Sequence, residues 1–189
     1  MHIGKGSDFS GRLTFTPSSD DFEFDANKVL PIKNISFIKP NGGFWLSVDG
    51  MWEKWCDSWM PEWIGNKSFD VELQDDANIL VIESAKDVAD LPRIKDTSDF
   101  LAPFVENLDI DFEALSGDYD GMCVLVNHPV DRTALHRALY GWDCDSILVF
   151  NAGAIKSFKI RENSGKNIEP IPIDTGSNEC IAEDSFLYN

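Results

Sequence analysis

The chain has 189 residues, 43% hydrophobic and 12% aromatic, with a formal net charge of −17 at pH 7. That length fits one domain with a core of its own, so a single domain over 1–189 is expected. The aromatic and apolar content excludes a disordered chain. The charge opposes binding to nucleic-acid backbone or an anionic membrane, leaving a basic protein partner, a small ligand in a locally basic pocket, or plain solubility. No apolar run reaches 18 residues, and Met1 to Gly11 does not read as a secretory leader, so no membrane association and a cytoplasmic location are expected. Cys56, Cys123, Cys144 and Cys180 share no metal-ligand spacing with one another or with the histidines, so no metal site is expected.

In chain order, the glycines at 4, 6 and 11 predict a flexible start. Arg12 to Thr16 alternates as a strand should, and Pro17-Ser18-Ser19 ends it. Asp20 to Asp25 reads as an acidic, aromatic loop lying against the surface, and Asn34 to Lys39 as a second strand. Asn41-Gly42-Gly43 is turn chemistry, because glycine tolerates positive φ and lets another group approach the backbone. Phe44 to Val48 then predicts a strand, with Asp49 a candidate N-cap for a helix that Pro61 stops near Met60. Five of the six tryptophans lie between 45 and 63, and Trp52, Trp55 and Trp59 share a helical face. This stretch reads either as a core-building unit or as a ligand groove floored by the strand and walled by indoles.

Ser68 to Leu73 and Ile79 to Ile82 predict strands, the second covered on both faces. Ser84 to Asp87 fits a capping box, so a short helix follows up to Pro92. Short helices are expected between Thr97 and Leu115, a strand at Gly121 to Val126, a helix at Asp131 to Tyr140, and strands at Ser146 to Phe150 and Ala154 to Ile160. Residues 161–189 read as an irregular tail packed on the domain. About seven short strands among short helices indicate an α+β protein with mainly antiparallel sheet. At the mouth of the late strand, Asp143 and Asp145 bracket Cys144. They read as turn residues satisfying loop amides, or as acids facing a cleft from a rigid strand end.

Asn41-Gly42-Gly43-Phe44-Trp45-Leu46-Ser47 followed by Trp55-Cys56 resembles the second-strand motif of the ADP-ribosyltransferase superfamily, and Asp145-Ser146-Ile147-Leu148-Val149 resembles its late, acid-led strand. Lys39 to Cys56 together with Tyr140 to Ser146 is also similar to small proteins of bacteria and their phages. The resemblance covers about a third of the chain. It implies two packed, mainly antiparallel sheets with NAD, as substrate, in a cleft between them. It further implies release of nicotinamide, as in a toxin-like transferase, and passage of ADP-ribose to a macromolecular acceptor, a protein, or to water. On this resemblance Asp145 is the acid, Trp45 stacks on nicotinamide, and Ser47 holds the ribose or supports the acid. Asn41, Gly42, Gly43 and Trp55 border the ligand, and Lys39 or Arg12 meets the pyrophosphate. Members of the family usually carry Glu where this chain has Asp145. The competing expectation is a non-catalytic acidic protein, a nucleic-acid mimic that occupies a basic groove on a host protein.

Overall fold

The structure is a computed structural model that describes residues 1–35, 39–94, 110–126, 139 and 141–161. Eight strands form one sheet: β1 (His2–Lys5), β2 (Leu13–Phe15), β3 (Phe44–Val48), β4 (Phe69–Leu73), β5 (Asn78–Ile82), β6 (Gly121–Val124), β7 (Ser146–Val149) and β8 (Ile155–Ile160). Their spatial order is β1-β5-β6-β7-β3-β2-β4-β8, and every neighbouring pair is antiparallel except β5 and β6. The class is therefore α+β and mainly antiparallel, as composition and spacing predict. Where two packed sheets were expected, the described strands make a single one. A parallel pair needs a crossover, and α2 (Ala85–Ala89) and α3 (Phe112–Asp118) lie in the chain between β5 and β6.

Each face of the sheet carries a core. Leu80, Ile82, Met122, Val124 and Leu148 pack with Val88 of α2 and with Phe112 and Leu115 of α3. Ile79, Val81, Cys123, Ile147 and Val149 point the other way and pack with Leu13, Leu46, Val48 and Val71. Strand residues i and i+1 thus serve opposite cores, which is why β5, β6 and β7 are apolar at nearly every position. On the second face Phe22 and Phe24, from the acidic loop, meet Phe15, Phe44, Phe69 and Phe158, with ring centroids 4.6 to 6.4 Å apart. Those aromatic rings account for the alternation of acid and phenylalanine at 20–25: the acids face solvent and the rings cover the sheet.

Several elements follow their sequence signals closely. Ser84 and Asp87 form the predicted capping box of α2, each side chain accepting the other's backbone N–H (3.2 and 3.0 Å). Asp111 caps α3 by accepting the Ala114 N–H at 3.0 Å. Helix α1 (Met51–Trp59) ends at Met60, before Pro61. Its N-cap is Gly50 rather than Asp49, because both residues take positive φ (68° and 53°) and the Asp49 carboxylate turns instead to Arg12. The start of the chain is not a free segment. His2–Lys5 is an edge strand, with Ile3 registered on Leu80. The strand expected at Asn34 to Lys39 begins with Asn34 and Ile35 outside any strand; residues 36–38, the short helices expected over 97–109, the helix expected at 131–140 apart from Leu139, and the tail beyond Arg161 lie outside the described residues. No helix among the described residues is long and apolar enough to cross a membrane.

Candidate functional site

Strand β3 lies inside the sheet, between β7 and β2. Its alternation sends Leu46 and Val48 into the second core and leaves Trp45 and Ser47 on the opposite face. Cross-strand register then places Thr14 opposite Ser47, and Ser47 opposite Ser146. Three hydroxyl side chains on three adjacent strands thus form one row, each less than a tenth exposed. Above this row lies a cleft of about 510 Å³, lined by Thr14, Phe15, Thr16, Pro17, Ser18, Ser19, Phe22, Lys39, Trp45, Leu46, Ser47, Trp52, Trp63, Asp143, Cys144 and Ser146. That volume lies within the roughly 300–1,000 Å³ of small-molecule sites, and the mixture of aromatic walls with a few convergent polar groups is their usual chemistry.

At one end Lys39 Nζ sits 4.9 Å above the Trp45 ring and 5.8 Å from that of Trp142, with Asp143 Oδ2 at 4.0 Å. Trp45 and Trp142 meet edge to face at 4.7 Å. Burial lowers the Lys39 pKa from its ordinary value, and the opposing carboxylate of Asp143 partly restores it. Cys144 beside it is buried, which pushes its thiol up to about 12, so it lines the cleft as a small inert group. At the other end Trp52 stacks on Trp55 (5.3 Å, 12°) and contacts Trp63 (6.2 Å).

The floor is tied to α1 by Glu53, which lies on the same face of the sheet as the hydroxyl row. Its Oε1 accepts hydrogen bonds from Thr14 Oγ1 (2.9 Å) and Thr16 Oγ1 (2.8 Å), and its Oε2 from Ser47 Oγ (3.0 Å). Ser47 Oγ also accepts the Trp52 N–H at 3.0 Å and so satisfies a first-turn amide of α1. Sequence reasoning passed over Glu53, Thr14 and Thr16. The available signal was the Thr-Phe-Thr alternation, which puts both threonines on the face that Ser47 occupies.

The structure brings together Lys39, Trp45 and Ser47 of the residues singled out from sequence. Asp143 lines the cleft, whereas Asp145 does not: its carbonyl accepts the Val48 N–H at 3.1 Å, and its charge acts on Arg12 and on buried Cys123. Arg12 lies outside the cleft in a surface pair with Asp49 (2.7 Å), which raises its pKa. Gly42 and Gly43 do take positive φ (84° and 68°), but the close approach is to the chain itself. A Cβ at Gly42 would lie 2.2 Å from the Pro31 carbonyl oxygen, and one at Gly43 would lie 2.7 Å from Leu148 Cδ1. Asn41 bridges Lys33 through its backbone, and Trp55 supports Trp52 from behind without lining the cleft.

Comparison with protein families, with curated proteins and with solved structures finds no match to this chain. The functional reading therefore rests on the cleft.

Proposed function

We propose that the cleft binds NAD and that the protein is an ADP-ribosyltransferase-like enzyme, releasing nicotinamide and passing ADP-ribose to a macromolecular acceptor or to water. The observation that carries this reading is the convergence, in one cleft, of Trp45, the cation of Lys39, the carboxylate of Asp143 and the Thr14–Ser47–Ser146 hydroxyl row. A planar nicotinamide stacks on the indole, the sugar lies over the hydroxyls, and the pyrophosphate reaches Lys39, the one cation among the described lining residues. The bond between ribose C1′ and the nicotinamide ring nitrogen breaks, and its electron pair leaves with nicotinamide. The ribosyl cation is stabilised by a nearby carboxylate until an acceptor nucleophile adds at C1′ and loses its proton. Asp143 takes the acid's place, since Asp145 lies outside the cleft.

The test is nicotinamide release from labelled NAD, with and without an acceptor-rich extract, for the wild type, Asp143→Asn and Asp145→Asn. Release lost in the first variant and kept in the second is the expected result; release that survives Asp143→Asn removes that residue from the chemistry. The charge of −17 favours a second reading, non-catalytic binding to a basic protein. That role predicts no nicotinamide release and an affinity that falls steeply with salt.

A further inference from the structure

The hydroxyls on the cleft floor have a direction. A hydroxyl owns one proton and two lone pairs, and a carboxylate can only accept. Thr14, Thr16 and Ser47 each donate their one proton to Glu53. Ser146 donates its own to the Cys144 carbonyl at 3.1 Å. With the Thr16 proton committed to Glu53, Ser68 is the donor in its contact with Thr16. Of the six hydroxyl side chains that line the cleft, the four on the sheet, Thr14, Thr16, Ser47 and Ser146, have therefore committed their protons to the protein, while Ser19 on the rim accepts the Asp21 N–H at 3.3 Å. The remaining lone pairs of those four, with the Asp143 carboxylate, face a ligand.

We propose that Glu53 makes the floor of this cleft a hydrogen-bond-acceptor surface, so that the floor selects ligand groups that donate, sugar hydroxyls above all, while an anion is held away from it, at Lys39. Glu53 is a positioning residue here: it acts through Ser47, Thr14 and Thr16 rather than by touching ligand. A phosphate laid over the hydroxyl row meets lone pairs only, whereas a vicinal diol finds acceptors for both protons. The choice of probes rests on the nucleotide reading given above; the polarity itself rests only on the donor directions.

Glu53→Gln is the discriminating change. The side chain is isosteric, and its carbonyl oxygen can still accept from Thr14 and Thr16. Its NH₂ must donate to Ser47, whose second lone pair already takes the Trp52 N–H. The Ser47 proton is then released toward the cleft, and one acceptor becomes a donor. Binding of adenosine and of 2′,3′-dideoxyadenosine is measured by tryptophan fluorescence and calorimetry on the full chain, with NAD titrated in parallel. In the wild type, adenosine is expected to bind roughly tenfold or more tightly than the dideoxy analogue, since an acceptor surface without donors is left unpaired. In Glu53→Gln the ratio falls to about threefold or less. Ser47→Ala, which removes one acceptor and leaves the Glu53 carboxylate bonded to Thr14 and Thr16, lowers the ratio as well and serves if the Gln variant folds poorly.

Equal binding of the two nucleosides to the wild type, or a ratio unchanged by both substitutions, overturns the proposal. NAD binding without selectivity for the diol sinks the polarity argument and leaves the NAD reading standing. Failure of all three ligands sinks the NAD reading, and the polarity is then decided by exchange of the Ser47 hydroxyl proton in NMR. A proton protected in the wild type and exposed in Glu53→Gln supports the proposal; a proton that exchanges freely in the wild type contradicts it.

Discussion

Glu53→Ala tests how α1 is held on the sheet. The substitution removes the acceptor of three hydrogen bonds at 2.8 to 3.0 Å from donors that are 4–7% exposed. Hydrogen bonds to a charged group contribute roughly 1.5–3 kcal/mol each, and a buried donor left without a partner costs about 1–3 kcal/mol. The three donors line a cleft, so water can reach them once the carboxylate is gone, and the deletions are not additive. The net cost is therefore about 2–4 kcal/mol, a large part of the roughly 5–15 kcal/mol that holds a domain folded. For a chain of this size that corresponds to a fall in Tm of roughly 5–15 °C. Urea unfolding followed by tryptophan fluorescence, with a thermal melt beside it, reads the change directly. A double-mutant cycle with Ser47→Ala should show a coupling of about 1 kcal/mol or more. A loss below about 0.5 kcal/mol, or full additivity with Ser47→Ala, would refute the claim that this network fastens the helix.

Three further outcomes follow from the same structure. Gly43→Ala must place its Cβ 2.7 Å from Leu148 Cδ1 and 2.8 Å from the Val149 carbonyl oxygen at a φ of 68°, so a loss of at least about 2 kcal/mol is expected in denaturant unfolding, and a neutral effect would mean the turn is not packed as described. Burial by itself would raise the Asp87 carboxyl, but hydrogen bonds from the Met1 amino group, the Glu83 N–H and Ser84 outweigh it and hold the group at about 2, below its ordinary 3.8. Its contribution, about 2 kcal/mol, is complete above about pH 4 and is lost as the pH falls through 2; Asp87→Asn should cost that amount at pH 7 and flatten the acid limb of the stability curve. Burial pushes the Cys56 and Cys144 thiols up to about 11 and 12 and raises that of Cys123 further, so a thiol reagent at pH 8 should leave all three unmodified in the folded protein and label them on unfolding.

Most strands were legible because their signal is local. Phe44 to Val48, Phe69 to Leu73 and Asn78 to Ile82 show the alternation or the doubly buried run that a strand requires. Strand β1 was hidden because an edge strand needs little apolar patterning, and of its four residues only Gly4 is buried. The single sheet was not legible, since β3 pairs with β7 about a hundred residues away and no local pattern records that choice. The site divided along the same line. Trp45 and Ser47 could be read from the parity of one strand. Glu53 became visible only once register had set Thr14 beside Ser47. The Gly42-Gly43 pair carried a real signal for close approach, but the sequence does not say what approaches, and here it is Pro31 and Leu148. The choice between Asp143 and Asp145 depends on the bend at 144–145, which interrupts the alternation just before β7 begins at Ser146.

The most direct test of the account is titration of NAD into the full chain by calorimetry and tryptophan quenching, for the wild type, Lys39→Met and Trp45→Ala. The account predicts saturable binding to the wild type that weakens roughly tenfold or more in each variant, as expected for loss of a charge-assisted contact or of a stacking ring. Absence of saturation at millimolar NAD, or an affinity indifferent to both substitutions, would contradict the assignment of this cleft as the NAD site.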